Sequence, residues 1–112
     1  MKLGLRVPQR LGVDLQHDVV EAARTAEAAG YASLWTYERL LFPETPLEPY
    51  APPNVPRPEY SRQAADPLAI LTAAAVATEK VRLGTAILIA AQHTPSSWRR
   101  HWPRSIRSAA VA

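Results

Sequence analysis

Seven prolines fall within the sixteen positions 43–58. Proline fixes φ, has no backbone N–H to donate and clashes with a preceding helical turn. No helix or central strand survives that density, so the stretch reads as a long, semi-rigid surface loop. Loops of this length in compact domains are usually functional or disordered. The loop divides the patterned part of the chain into two blocks. In the first, Leu3–Val7 alternates and predicts a strand, and Pro8 and Gly12 mark the loop after it. Asp14 suits a helix N-cap; Leu15, Val19, Ala22, Ala23, Ala26 and Ala29 then recur at helical spacing, with Glu21, Arg24 and Glu27 on the other face. Gly30 supplies a left-handed stop, and the aromatic-rich run Tyr31–Tyr37 predicts a second strand. In the second block, Asp66-Pro67 is a helix start. That helix runs through Leu68, Ile70 and Leu71 and an alanine-rich stretch to about Glu79. The apolar run Val81–Ile89 predicts a third strand, of the kind buried on both faces of a parallel sheet. The order β-α-β-loop-α-β fits parallel crossovers, and there is no internal repeat beyond that alternation.

Composition narrows the function classes. With 112 residues the chain is one domain at most. It has no cysteine, which excludes a disulfide framework, a thiolate nucleophile and Cys-ligated zinc or iron–sulfur sites. No apolar run of about 18 residues exists to cross a membrane. Met1–Arg6 is charged again at once and carries no apolar signal core, so a cytoplasmic protein is expected. The net charge of +3 is unevenly spread. Residues 1–95 hold nine basic and ten acidic side chains; residues 96–112 add Arg99, Arg100, Arg104 and Arg107, no acid, and Trp98 and Trp102. The division is therefore a body, 1–95, and a basic tail, 96–112.

No G-x-G-x-x-G, P-loop, G-x-S-x-G or H-E-x-x-H motif is present. His17, His93 and His101 lack metal-ligand spacing, so no metal site is expected, and His17 and His101 read as solvated. Glu38 and Arg39 directly follow the second strand, and His93 lies just past the third. Ligands of parallel α/β folds bind at that C-terminal edge. The plain alternative for Glu38 and Arg39 is a pair of surface charges worth little. For Gly84, inside the third strand, it is a bulge or a close backbone approach.

Four segments taken together resemble the start of the luciferase-like monooxygenase family of flavin- and deazaflavin-dependent oxidoreductases. They are Leu3–Pro8; Ala22–Tyr31 leading into Ser33-Leu34-Trp35-Thr36; Asp66-Pro67-Leu68; and Val81–Leu88. The resemblance implies an α/β fold, the N-terminal portion of a (β/α)8 TIM barrel. It also implies a flavin mononucleotide or deazaflavin (coenzyme F-420) ring at the strand ends, and hydride transfer to or from a small organic substrate. An Asp-His pair commonly follows the tryptophan in deazaflavin members. The matching residues here are Glu38 and Arg39, which keep the acid and lose the imidazole. They are the expected catalytic positions. Thr85, Ala86, Ile87 and His93 are the expected cofactor contacts, and Ala86–Ile87 matches a non-proline cis peptide bond that backs the ring in the family.

The tail departs from the resemblance. Where the family continues with an apolar helix and a glycine turn, this chain has Ser96-Ser97-Trp98-Arg99-Arg100-His101-Trp102-Pro103. Trp102 has one codon; read in a shifted frame after His101 it forces leucine, and with Pro103 it then forces alanine. A frameshifted product keeping three of the eight strands is expected, with little activity alone, weak flavin binding, open sheet edges available for self-association, and a tail without a tertiary role. The alternative is a short non-catalytic protein whose Arg/Trp tail binds nucleic acid. The small size of the patch and the break at Pro103 argue against it.

Overall fold

The computed structural model describes residues 1–10, 12–42 and 59–96. The proline-rich loop 43–58 and the tail beyond Ser96, with Trp98 and Trp102, lie outside the described residues.

Three short strands, β1 (Gly4–Arg6), β2 (Ser33–Thr36) and β3 (Arg82–Thr85), form a parallel sheet in the order β1-β2-β3. The register aligns Leu5 with Leu34 and Leu34 with Leu83, so three leucines stand side by side on one face. Helices α1 (Val20–Ala28) and α2 (Pro67–Ala77) both cover that face. Val19, Ala23 and Ala26 from the first helical segment meet Ile70 and Ala74 from α2 over Leu34 and Val7. The alanines have no bulk to hold the helices away from the sheet, and Leu34 and Ile70 are fully buried beneath them. The expected parallel order, with both helices on one face, is what the chain adopts.

Local signals set the helix ends. Asp66 Oδ1 accepts from the Ala69 N–H (2.8 Å), with Pro67 in the first turn. Gly30 adopts φ +86°, its N–H bonds the Glu27 carbonyl, and the Tyr31 N–H reaches back to Ala26. That paired arrangement is a Schellman stop. The first turn, Leu15–Val19, is wound as a π turn rather than as α-helix. Asp14 Oδ1 accepts from the Gln16 and His17 N–H groups, and Asp18 Oδ2 accepts in return from the Asp14 N–H. This reciprocal cap spans four residues, one more than an ordinary capping box, and the wider turn lies within it.

All three expected strands are shorter than their runs; β1 loses Leu3 and Val7, one residue at each end. β2 omits Tyr31, which belongs to the helix stop, and Tyr37, whose N–H bonds Gln9 Oε1 (3.0 Å). The run Val81–Ile89 is not one strand: β3 ends at Thr85, the Ala86–Ile87 bond is cis, and Ile87 is 73% exposed. Helix α2 stops at Ala77, short of Glu79, because the N–H groups of Glu79, Lys80 and Val81 all turn to the Glu27 carboxylate.

The sheet face away from the helices carries Gly4, Arg6, Ser33, Trp35, Arg82 and Gly84. The Trp35 ring lies across both glycines. A Cβ built on Gly84 would sit 2.6 Å from the ring, and one on Gly4 2.6 Å from Nε1. The indole N–H donates to Ser33 Oγ (2.8 Å). Gly84 therefore answers to a side chain lying over it, not to a bulge or a neighbouring backbone.

Candidate functional site

Because the strands are parallel, β2 and β3 end at the same edge, and the segments leaving them run side by side. Two residues tie that edge together. Gln9, almost fully buried after β1, accepts from the Tyr37 N–H and donates through Nε2 to the carbonyls of Tyr37 (2.5 Å) and Ala65 (2.8 Å). All its bonding groups are engaged, and it fastens the β1 exit to the β2 exit and to the approach to α2.

Glu38 is the second. Its N–H donates to the Ile87 carbonyl (2.8 Å), its Oε2 accepts from the Ile89 N–H (2.5 Å), and its Oε1 lies 3.0 Å from His93 Nε2. The side chains of Glu38 and His93 are only 10% and 15% exposed. One residue from the β2 exit thus holds three points of the segment that follows β3.

Beside this junction lies an open cleft of about 430 Å³. Tyr37, Arg39 and Leu41 form one wall; Ala86, Ile87 and Gln92 form the other. Leu40, Leu41 and Ile87 are large apolar side chains left in water here. Exposed aliphatic groups gathered at one concave spot mark a surface that gains by being covered. Arg39 lies 5.8 Å from the Tyr37 ring centroid, and Arg6, at the end of β1, lies 5.4 Å from the same ring. Two cations are therefore attracted to one aromatic group at this edge.

A family profile for luciferase-like monooxygenases matches residues 1–98. The chain belongs to the luciferase-like monooxygenase family. It is thereby a member of an oxidoreductase family. No curated protein and no solved structure matches it.

The residues singled out from this luciferase-like sequence gather at one edge. Glu38, Arg39, Ala86 and Ile87 line the cleft. Thr85 closes β3 opposite Thr36, and the cis bond falls at Ala86–Ile87, where the resemblance implied one. His93 lies against Glu38 rather than in the cleft lining. His17 does not line the cleft: it is exposed in the first helical turn, and its hydrogen bond to Asp18 raises its pKa above the ordinary imidazole value. His101 and the tail arginines lie outside the described residues. Sequence reasoning missed Gln9, a lone glutamine with no motif, and Tyr37, read only as a strand residue. Among the described residues no helix is long and apolar enough to cross a membrane, and no group of acidic, histidine or cysteine side chains is placed to hold a metal ion.

Proposed function

We propose that the cleft between the β2 and β3 exits is the ring site of a flavin- or deazaflavin-dependent oxidoreductase acting on a small organic substrate, and that these strands are the first three of a (β/α)8 barrel. The observation that carries this reading is the cleft itself. Its aliphatic side chains, Leu41 and Ile87, suit the face of a planar fused ring, and Tyr37, Arg39 and Gln92 line it beside them with polar groups. Such a group, when bound, supplies the hydride donor or acceptor, and the protein supplies position and electrostatics. In this reading Thr85, Ala86 and Ile87 back the ring and Arg39 presents a fixed positive charge at the reacting end. Glu38 and His93 belong to the wall that shapes the ring's seat.

The test is a fluorescence titration of the 112-residue chain with flavin mononucleotide and, separately, with the deazaflavin. Saturable binding weaker than about micromolar is expected, because walls from two strands leave much of the ring in water. The flavin that binds more tightly names the cofactor class. No saturable binding of either sinks the reading.

A further inference from the structure

We infer that Glu38 is a positioning residue, which holds His93 as its Nε2–H tautomer and pins the segment Ile87–His93 as the β3 wall of the cleft. The inference rests on the ring-site reading for its purpose but not for its geometry. Both carboxylate oxygens are engaged, Oε2 by the Ile89 N–H and Oε1 by His93 Nε2, at a side chain that is nine-tenths buried. A carboxylate accepts only, so in the neutral ring the nitrogen facing it carries the proton, and Nδ1 carries the lone pair. The same logic fixes the tautomer of imidazoles in metal sites and catalytic triads, where a buried carboxylate orients the ring.

The consequence is a division of labour that adjacent residues in the sequence conceal. Arg39 is exposed and lines the cleft directly. Glu38 also borders the cleft, but both of its carboxylate oxygens are committed to the segment after β3. Its backbone and side chain grip Ile87, Ile89 and His93, three points on the segment that supplies the Ile87 and Gln92 surface of the cleft. The imidazole missing beside the acid in sequence is supplied in space by a residue 55 positions away.

The experiment is 15N-edited NMR of the full chain without any flavin, at a pH where the ring shifts show every imidazole neutral, with His93→Asn used to assign the His93 signals. In the wild-type chain the His93 Nε2–H should be seen directly, its exchange with water slowed about tenfold or more relative to the exposed ring of His17. The decisive variant is Glu38→Gln. Its carboxamide oxygen can still accept from Ile89, which turns the NH2 group towards His93 Nε2 and forces that nitrogen to accept. The ring should then switch to the Nδ1–H form while the Ile89 amide stays protected. A wild-type ring in the Nδ1–H form, an Nε2–H exchanging as fast as the ring N–H of His17, or an unchanged tautomer in Glu38→Gln overturns the inference. If the variant does not fold, the wild-type exchange rates decide alone. Because no flavin is present, failure here leaves the titration above untouched. Likewise, failure of the titration leaves the tautomer result standing.

Discussion

At the N-terminal edge of the sheet, Glu27 reaches from α1 and accepts from three successive backbone N–H groups, those of Glu79, Lys80 (2.6 Å) and Val81 (3.1 Å). At the C-terminal edge, Glu38 makes one backbone bond through its carboxylate and one to an imidazole, beside exposed aliphatic side chains. Each glutamate bridges the β2 side of the chain to the β3 side. The first caps the turn between α2 and β3 and borders an open cleft of about 390 Å³ that Lys2, Lys80 and Arg82 also line. The second borders the cleft of about 430 Å³ lined by Leu40, Leu41 and Ile87, and its other oxygen faces an imidazole. The difference lies in the partners: three backbone N–H groups commit the first carboxylate to the fold, whereas the second divides itself between one N–H and an imidazole beside exposed aliphatic groups, at the edge where parallel α/β folds in general bind ligands.

The largest expected effect tests what the two ends share. Leu34→Ala removes the central leucine under both helices and should cost about 2–5 kcal/mol. It should expose both edges together in hydrogen exchange; loss of one edge alone would mean the ends fold independently. Next, Gly84→Ala drives a methyl into the Trp35 ring and should cost about 1–3 kcal/mol in urea unfolding. Unchanged stability would mean that the ring is not held where it lies.

Glu27→Gln should lower the urea midpoint by less, and with a pH signature. The hydrogen bond from the Lys80 N–H, with those from Val81 and Glu79, holds the Glu27 carboxyl below the ordinary value of 4.5. A group with a lowered folded pKa binds fewer protons folded than unfolded. Its contribution is complete above the unfolded value and is lost as pH falls through the folded one. Wild type and variant should therefore differ at neutral pH and converge as pH falls below the ordinary carboxyl value and through the lowered folded one. A pH-independent gap would remove the carboxylate from the account.

Smaller effects belong to the C-terminal edge. Thr36 at the end of β2 is buried with no hydrogen-bond partner for its hydroxyl. Thr36→Val should raise stability by up to about 1 kcal/mol, since an unsatisfied polar group is exchanged for a methyl. Ile87→Ser should leave stability within about 0.5 kcal/mol, as exposed positions do, yet weaken flavin binding in the titration. A stability loss there, or unchanged binding, would erase the distinction between the two ends.

What could be read from the sequence was local. Asp14, Gly30 and the Asp66-Pro67 pair act within a few residues of themselves, so the order of elements and both helix starts were legible. The end of β3 was not. The apolar run Val81–Ile89 reads as one buried strand, yet the chain leaves the sheet after Thr85 and Ile87 stands 73% exposed beyond it. The Glu38–His93 pair joins residues 55 apart, and the three bonds of Gln9 go to backbone groups up to 56 positions away. Such partners share no periodicity, so no pattern along the chain announces them.

Trp35 also sets terms for how this sequence can vary. Its ring, spread over Gly4 and Gly84, makes two distant positions small at once. Neither glycine there needs its own unusual backbone, since positive φ among the glycines occurs only at Gly12 and Gly30. In genetic terms the three sites form one locus: a methyl at position 84 meets only the indole, so shortening residue 35 is its natural suppressor, whereas a methyl at position 4 also comes within 2.8 Å of Ser33 Oγ and is relieved only in part. A lineage that exchanged the tryptophan for a compact side chain would free position 84 to drift and, once Ser33 also turned aside, position 4 with it, though the two lie on strands that never touch.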